Sequence, residues 1–184
     1  EGLQSVIPFL EKGAFITNLI LSREDGDSAC VLRKDGAWHL VLFKAGRNPR
    51  RFVLQQGRWV PGPGDSREVY VARERHWYRF GARQATPAWT PEAYSYFTGT
   101  VAGYTYTVPV RNPLGDLVGV VGVDVSLEEL TRLVGDNRPT PGSRVILTDP
   151  YGRLLVPPQL SNTRDQGPRL KPELAPLSPD PGGD

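Results

Sequence analysis

GYTYTVPVRNPLGDLVGVVGVDVSLEEL, residues 103–130, holds two strands, the turn between them and the start of a helix. Tyr104, Tyr106, Val108 and Val110 alternate with Thr105 and Thr107, the period of a two-faced strand. NPLGD (112–116) supplies turn residues, and LVGVVGVDV (117–125) reads as a buried strand. Ser126-Leu-Glu-Glu129 fits a capping box opening a helix through SLEELTRLV. Within 117–125, alternation puts Val118, Val120, Gly122 and Asp124 on one face and the remaining apolar residues on the other. A carboxylate at the end of so apolar a strand is costly to bury unless something compensates it. Asp124 therefore helps cap the following helix, pairs with a structural arginine, or meets a ligand. Gly122, two residues back on its face, leaves space beside it.

Upstream, short apolar runs alternate with turn signals. FITNLILS, SACVLR, AWHLVLF, RRFVLQ and RWV are separated by REDGD, KDG, KAGRNP and QG, so residues 14–60 read as an antiparallel meander. Before it, Leu3, Val6, Ile7 and Leu10 have helical spacing, with Gly13 at the C-cap and Pro8 as an interruption, which predicts a helix remnant over 1–13. PGPGD (61–65) is a loop. Thr90-Pro91-Glu92 carries the hydroxyl, proline and acid of a helix start. Downstream, RPTPG is a linker and SRVILTDPYGRLLVPP a hairpin across Asp149-Pro-Tyr-Gly152. The last 28 residues contain seven prolines and read as mostly irregular. No repeat of fixed period is present.

The totals narrow the function classes. Among 184 residues, 20 glycines and 18 prolines favour short strands and turns over a helical bundle. A net charge of +2 argues against nucleic acid as a partner. One cysteine, Cys30, and two histidines, His39 and His76, give neither an internal disulfide nor a zinc site, so no metal and no cofactor is expected. Scarce cysteine suits a cytosolic or a Gram-negative periplasmic protein alike. No apolar run approaches the ~20 residues of a membrane span. Because the chain begins at Glu1 rather than methionine, it is expected to be a piece of a longer protein. Neither a nucleophile–base pair nor a phosphate loop stands out, so no catalytic residues are assigned and an enzyme is not expected.

RERHWYRFGARQATPAWT (73–90) mixes arginine with aromatics. A guanidinium matches the two oxygens of a carboxylate, and an indole beside it adds an apolar wall and one N–H donor. If the segment is extended, Arg75, Trp77 and Arg73 share a face, while His76 and Tyr78 point away. The same spacing also fits a surface cation–π pair.

In order, Tyr70, Arg75 and Trp77, then Trp89 and Tyr94, then TVPV and NPLGDLVGVVGVDVSLEEL resemble the Cache family of extracellular sensor domains, and most closely double Cache domains. The resemblance runs from residue 14 to about 158. It implies an α+β fold: a PAS-like antiparallel sheet flanked by helices, with an N-terminal helix remnant (1–13), a membrane-distal ligand-binding module (14–137) and the start of a reduced membrane-proximal module with a proline-rich tail (138–184). The resemblance is to the subset that binds α-amino acids, and implies Tyr70, Arg75, Trp77, Tyr94 and Asp124 as ligand-binding residues. Arg75 and Trp77 would hold the ligand carboxylate; Tyr70, Tyr94 and Asp124 would hold its ammonium. An acid that often follows the later tyrosine is replaced here by Ser95 and Tyr96. The implied partner is a small molecule, and the implied parent is a membrane-anchored, homodimeric receptor. Its sensor lies outside the cytoplasm, and its output module is a chemoreceptor, histidine kinase or cyclic-dinucleotide enzyme. A ligand-free dimerisation module and a sensor for another carboxylate or amine are the alternatives.

Overall fold

Tight turns fix the register of the first half. Asp35-Gly36 (φ 50° and 77°) and Gln56-Gly57 (φ 49° and 75°) both take the left-handed geometry whose twist matches paired strands. They join β2 (Ser28–Lys34) to β3 (Ala37–Phe43) and β4 (Arg50–Gln55) to β5 (Arg58–Pro61), and with β1 (Ile16–Arg23) these strands form the expected meander. This is a computed structural model, and it describes residues 2–13, 15–44, 47–62, 70–96, 101–140, 143, 145–148, 152 and 154–156. Residues 63–65 of the PGPGD loop, most of the 149–152 turn and the tail from 157 lie outside the described residues. The Thr148–Leu154 bridge flanks that turn.

The N-terminal remnant is a 3-10 turn, Gly2–Val6, leading into α1, Ile7–Lys12. Pro8 does not interrupt the α-helix but lies in its first turn, where a missing N–H removes no helical bond. Gly13 closes it, its N–H donating to the Phe9 carbonyl. Ile7 and Leu10 pack with Leu19, Val31, Trp38 and Leu40 on one face of the sheet.

The second half comprises a 3-10 turn (Ala72–Glu74), α2 (His76–Ala82), the two-residue strands β6 (Ala88–Trp89) and β7 (Tyr94–Ser95), the long strands β8 (Ala102–Arg111) and β9 (Leu117–Ser126), and α3 (Leu127–Asp136). The sheet runs β5-β4-β3-β2-β1-β9-β8-β6, with β7 also on β8, and every pairing is antiparallel. β9 is thus central, which is why its sequence is apolar on both sides. At its end Ser126 caps α3, its hydroxyl accepting from the Glu129 N–H at 3.1 Å.

One open reading is resolved and one expectation is corrected. The segment whose extended form would align Arg75 with Trp77 is not extended: residues 72–82 form the 3-10 turn and α2, with Arg75 as an extended N-cap residue and Trp77 inside the helix. Arg73, Arg79 and Arg83 are solvent-facing, whereas Trp77 and Tyr78 are both buried. Thr90-Pro91-Glu92 starts no helix. Thr90 is engaged with β8: its N–H donates to the Thr105 carbonyl and its hydroxyl accepts from the Thr105 N–H. A hydroxyl occupied in strand pairing is not available as a helix cap.

The second face of the sheet carries α2, and glycine lets it seat closely. A Cβ on Gly81 would lie 2.7 Å from Val120 Cγ1 and 2.8 Å from Thr107 Cβ, closer than real Cβ atoms come. Gly81→Ala is expected to push α2 off β8 and β9 and cost about 1–3 kcal/mol, read as a lower urea midpoint with unchanged m-value.

Candidate functional site

A lateral row of four residues crosses the sheet on the α2 side: Leu32 on β2 faces Asn18 on β1, Asn18 faces Asp124 on β9, and Asp124 faces Thr105 on β8. Opposite Asp124 the β1–β9 register shifts between Ile16 and Asn18, a bulge at Thr17. Bulges re-aim side chains beside functional sites. Here the Thr17 hydroxyl donates to the Asp124 carbonyl at 3.1 Å.

The Asp124 side chain is fully inside, at 1 % exposure. Its two oxygens are held by neutral groups. Thr105 Oγ1 donates to Oδ1 at 2.6 Å and Asn18 Nδ2 donates to Oδ2 at 3.0 Å. The Tyr94 hydroxyl bonds in turn to Thr105 Oγ1, and the Cys30 thiol donates to Asn18 Oδ1 at 2.8 Å. Burial pushes the Asp124 carboxyl up to about 6, against the two hydrogen bonds, which pull it down. Burial and then the nearby Asp124 carboxylate push the Cys30 thiol up to about 12, so it is neutral at physiological pH. Burial likewise raises the Tyr94 and Tyr96 phenols, again reinforced by Asp124, and burial raises Tyr70.

Above this row lies a cavity of about 240 Å³ walled by Phe43, Tyr70, Trp77, Tyr94, Tyr96 and Asp124, with Arg33, Glu128 and Glu129 also along it. Trp77 sits against Gly122, whose added Cβ would lie 3.0 Å from the indole, so the space left by that glycine holds the ring. The indole N–H donates to the Tyr70 hydroxyl at 3.2 Å. The Tyr96 hydroxyl reaches the carbonyls of Tyr104 and Val125, each at 3.0 Å.

Four of the five residues marked in the sequence, Tyr70, Trp77, Tyr94 and Asp124, come together around this cavity. Arg75 is buried next to them, its guanidinium 5.2 Å from the centre of the Tyr70 ring, and is not among the lining residues. Asp124 neither caps α3, which Ser126 does, nor draws its hydrogen bonds from an arginine. Sequence reasoning missed Asn18, Cys30, Thr105 and Tyr96. A lone asparagine in the apolar run ITNLILS was the available signal for Asn18. Thr105 showed only as the polar half of an alternating strand, a half that proves to be the buried one: Thr105 and Thr107 are both 0 % exposed. Tyr78 and Trp89 do not line the cavity: Tyr78 packs edge-on against Trp77 and donates to Glu24 at 2.7 Å, and the half-exposed Trp89 lies on Tyr106.

Residues 59–132 match the family model described as the methyl-accepting chemotaxis protein-like, first PDC sensor domain. Among solved structures, the chain is similar to the ligand-binding domain of the Campylobacter jejuni chemoreceptor Tlp3 in complex with L-valine, at 19% identity and TM-score 0.50, over 84% of this chain and 50% of that one. The extracellular domain of soHK1S-Z6, named as a histidine kinase, gives 20% identity and TM-score 0.53 over 84% and 52%. Methyl-accepting chemotaxis protein X gives 21% and 0.50 over 86% and 57%. The chain therefore spans about half the length of these sensory domains. No protein of curated function matches it. The family match over residues 59–132 bears out the Cache resemblance there, and the antiparallel sheet with its helices bears out the α+β, PAS-like fold expected from it.

The raised carboxyl has a consequence for stability. The native state holds a proton on Asp124 up to about pH 6, whereas the unfolded chain releases it near 3.8. This contribution is fully present below 3.8 and is lost as the pH rises through 6. Its ceiling is on the order of 3 kcal/mol. In the ligand-free protein, unfolding free energy measured from pH 8 to 4 should gain this increment on acidification, and Asp124→Asn should lack it.

Proposed function

We propose that the module is the extracytoplasmic sensor of a membrane receptor and that its cavity binds a small zwitterion, an α-amino acid, with the ammonium on Asp124. The observation that carries this reading is a wholly buried carboxylate, bonded by neutral donors, at a cavity with five aromatic side chains. Carboxylate and ring faces together form a good receptor for an ammonium, which supplies the positive charge that the neutral donors do not. A volume of about 240 Å³ is below the range for drug-sized ligands and suits a small metabolite. Arg75, set beside Tyr70 at one side of the cavity, and Trp77 are assigned to the ligand carboxylate. Tyr70 and Tyr94 join Asp124 at the ammonium. The Tlp3 domain of similar fold was solved with L-valine, which supports an amino acid here.

On this reading residues 14–137 are the membrane-distal module, 1–13 the end of an N-terminal helix and 138–184 the start of a membrane-proximal one. The parent is an anchored homodimer that passes the signal to an output domain in the cytoplasm. Signalling requires that the ligand bind one receptor conformation more tightly than another.

Thermal unfolding against the twenty amino acids, small amines and organic acids tests this. A ligand at about 100 times its Kd adds roughly 2.7 kcal/mol, and Arg75→Ala and Asp124→Ala should each abolish the shift while leaving a folded domain. If no amino acid shifts the wild type, the reading fails. Affinity also reports the carboxylate. Bound ammonium requires Asp124 ionised, so protonation of the free site competes with binding below about pH 6. Apparent Kd by calorimetry should rise about tenfold from pH 7 to 5 for a midpoint at 6, and by only a few tenths of a log unit between pH 8 and 6.

A further inference from the structure

Resting on the amino-acid reading above, we propose that the ligand carries an aliphatic side chain that crosses β1 and ends on Leu32, and that Leu32 sets the length accepted. The row that holds Asp124 continues past Asn18 to Leu32 on β2. Neighbouring strands lie about 4.8 Å apart, so the backbones of Asp124 and Leu32 are separated by about 10 Å. Both residues line the cavity. A ligand anchored beside Asp124 and reaching along the row therefore lies over β1 and meets β2.

What it passes over is apolar. One pleat from the row, Ile20 on β1 stands opposite Cys30 on β2, and both line the cavity. Phe43 on β3 is buried and lies against Tyr70, 4.6 Å between ring centres. The two polar side chains of this stretch are turned to each other and to Asp124: Cys30 gives its thiol hydrogen to Asn18 Oδ1, and Asn18 Nδ2 donates to Asp124 Oδ2. The Tyr70 hydroxyl is at the Trp77 indole, which sits on Gly122 of β9 rather than over β2. A charged terminus over Ile20, Cys30 and Leu32 would exchange its water for uncharged partners, which is costly. A methylene in the same place gains about fourfold in affinity.

The charged residues along the cavity stand off this path. Arg33 is exposed and lies directly opposite Trp38, a residue of the α1 side of the sheet. Glu128 is exposed, and Glu129 is bonded by Arg132 at 3.0 Å. They form a hydrated rim, whereas Leu32, half-buried and in line with Asp124, forms the end wall.

Calorimetric titration of the full chain with L-alanine, L-norvaline, L-norleucine, L-lysine and L-glutamate tests this. Affinity should rise about fourfold for each methylene beyond alanine until the chain meets Leu32. Lysine and glutamate should each bind about tenfold or more weakly than the tightest aliphatic ligand. Leu32→Ala should move the tightest binder to a longer chain. The order of ligands within one variant does not depend on its folded fraction, so this readout is separate from stability. Should Leu32→Ala not fold, Leu32→Val makes the same comparison. An unchanged order in the Leu32 variant overturns the assignment of Leu32. Lysine or glutamate binding as tightly as the aliphatic ligands overturns the apolar path and directs the side chain to the rim of Arg33 and Glu128. Either of these results leaves the amino-acid reading standing. Failure of every amino acid to bind the wild type removes that reading and this inference together.

Discussion

The carboxylate of Asp124 constrains everything around it. A charge withdrawn from water in the middle of a sheet is destabilising unless its oxygens are satisfied. Satisfying them fixes the register of three strands, because Asn18 on β1 and Thr105 on β8 must stand directly across from β9. A slip of one residue at either pairing would turn the donor to the other face of the sheet. The bulge at Thr17 lies within this arrangement, where the strand approaches Asp124. Packing follows from the same point. Gly122, one pleat away, leaves the hollow that takes the Trp77 ring, and Gly81 lets the helix bearing that ring settle on the strands.

The site is therefore stiff on one side and aromatic on the other. Its floor is hydrogen-bonded sheet, with Asp124 fixed from both flanks. Three of its aromatic wall residues come from short or irregular segments, Tyr70 before a 3-10 turn, Tyr94 on a two-residue strand and Tyr96 just beyond it, while Phe43 ends β3 and Trp77 lies in α2. A recognition charge on a rigid element, faced by side chains on less regular ones, keeps the charge in place while the remainder accommodates shape. The Tyr96 hydroxyl ties its segment back to β8 and β9.

Much of this was legible in the sequence. Dipeptides such as Asp35-Gly36 announce hairpins through their own backbone preferences, and β9 with the Ser126 cap is encoded within a dozen neighbouring residues. Asp124 stood out because a charge interrupts an apolar strand. What stayed hidden depends on distant partners. Whether Thr90 caps a helix or pairs with Thr105 is decided by a strand fifteen residues away, and local propensity yields to that contact. The 73–79 segment carries aromatics compatible with strand or helix, and the fit of Gly81 against Val120 and Thr107 is a tertiary fact. Asn18 and Cys30 lie 106 and 94 residues from Asp124, on strands whose pairing no short window specifies.

Both ends of the sheet are short. At one edge stands the two-residue β6, and at the other the four-residue β5, which begins at Arg58 and ends at Pro61. Proline offers no N–H for a further strand, and a short edge bearing an arginine is a poor template for one. The meander is thus guarded against edge-to-edge polymerisation even though it is an open sheet. Extension of the sheet by a second copy at β5 or β6 is therefore disfavoured by the backbone itself rather than by any charge at the site.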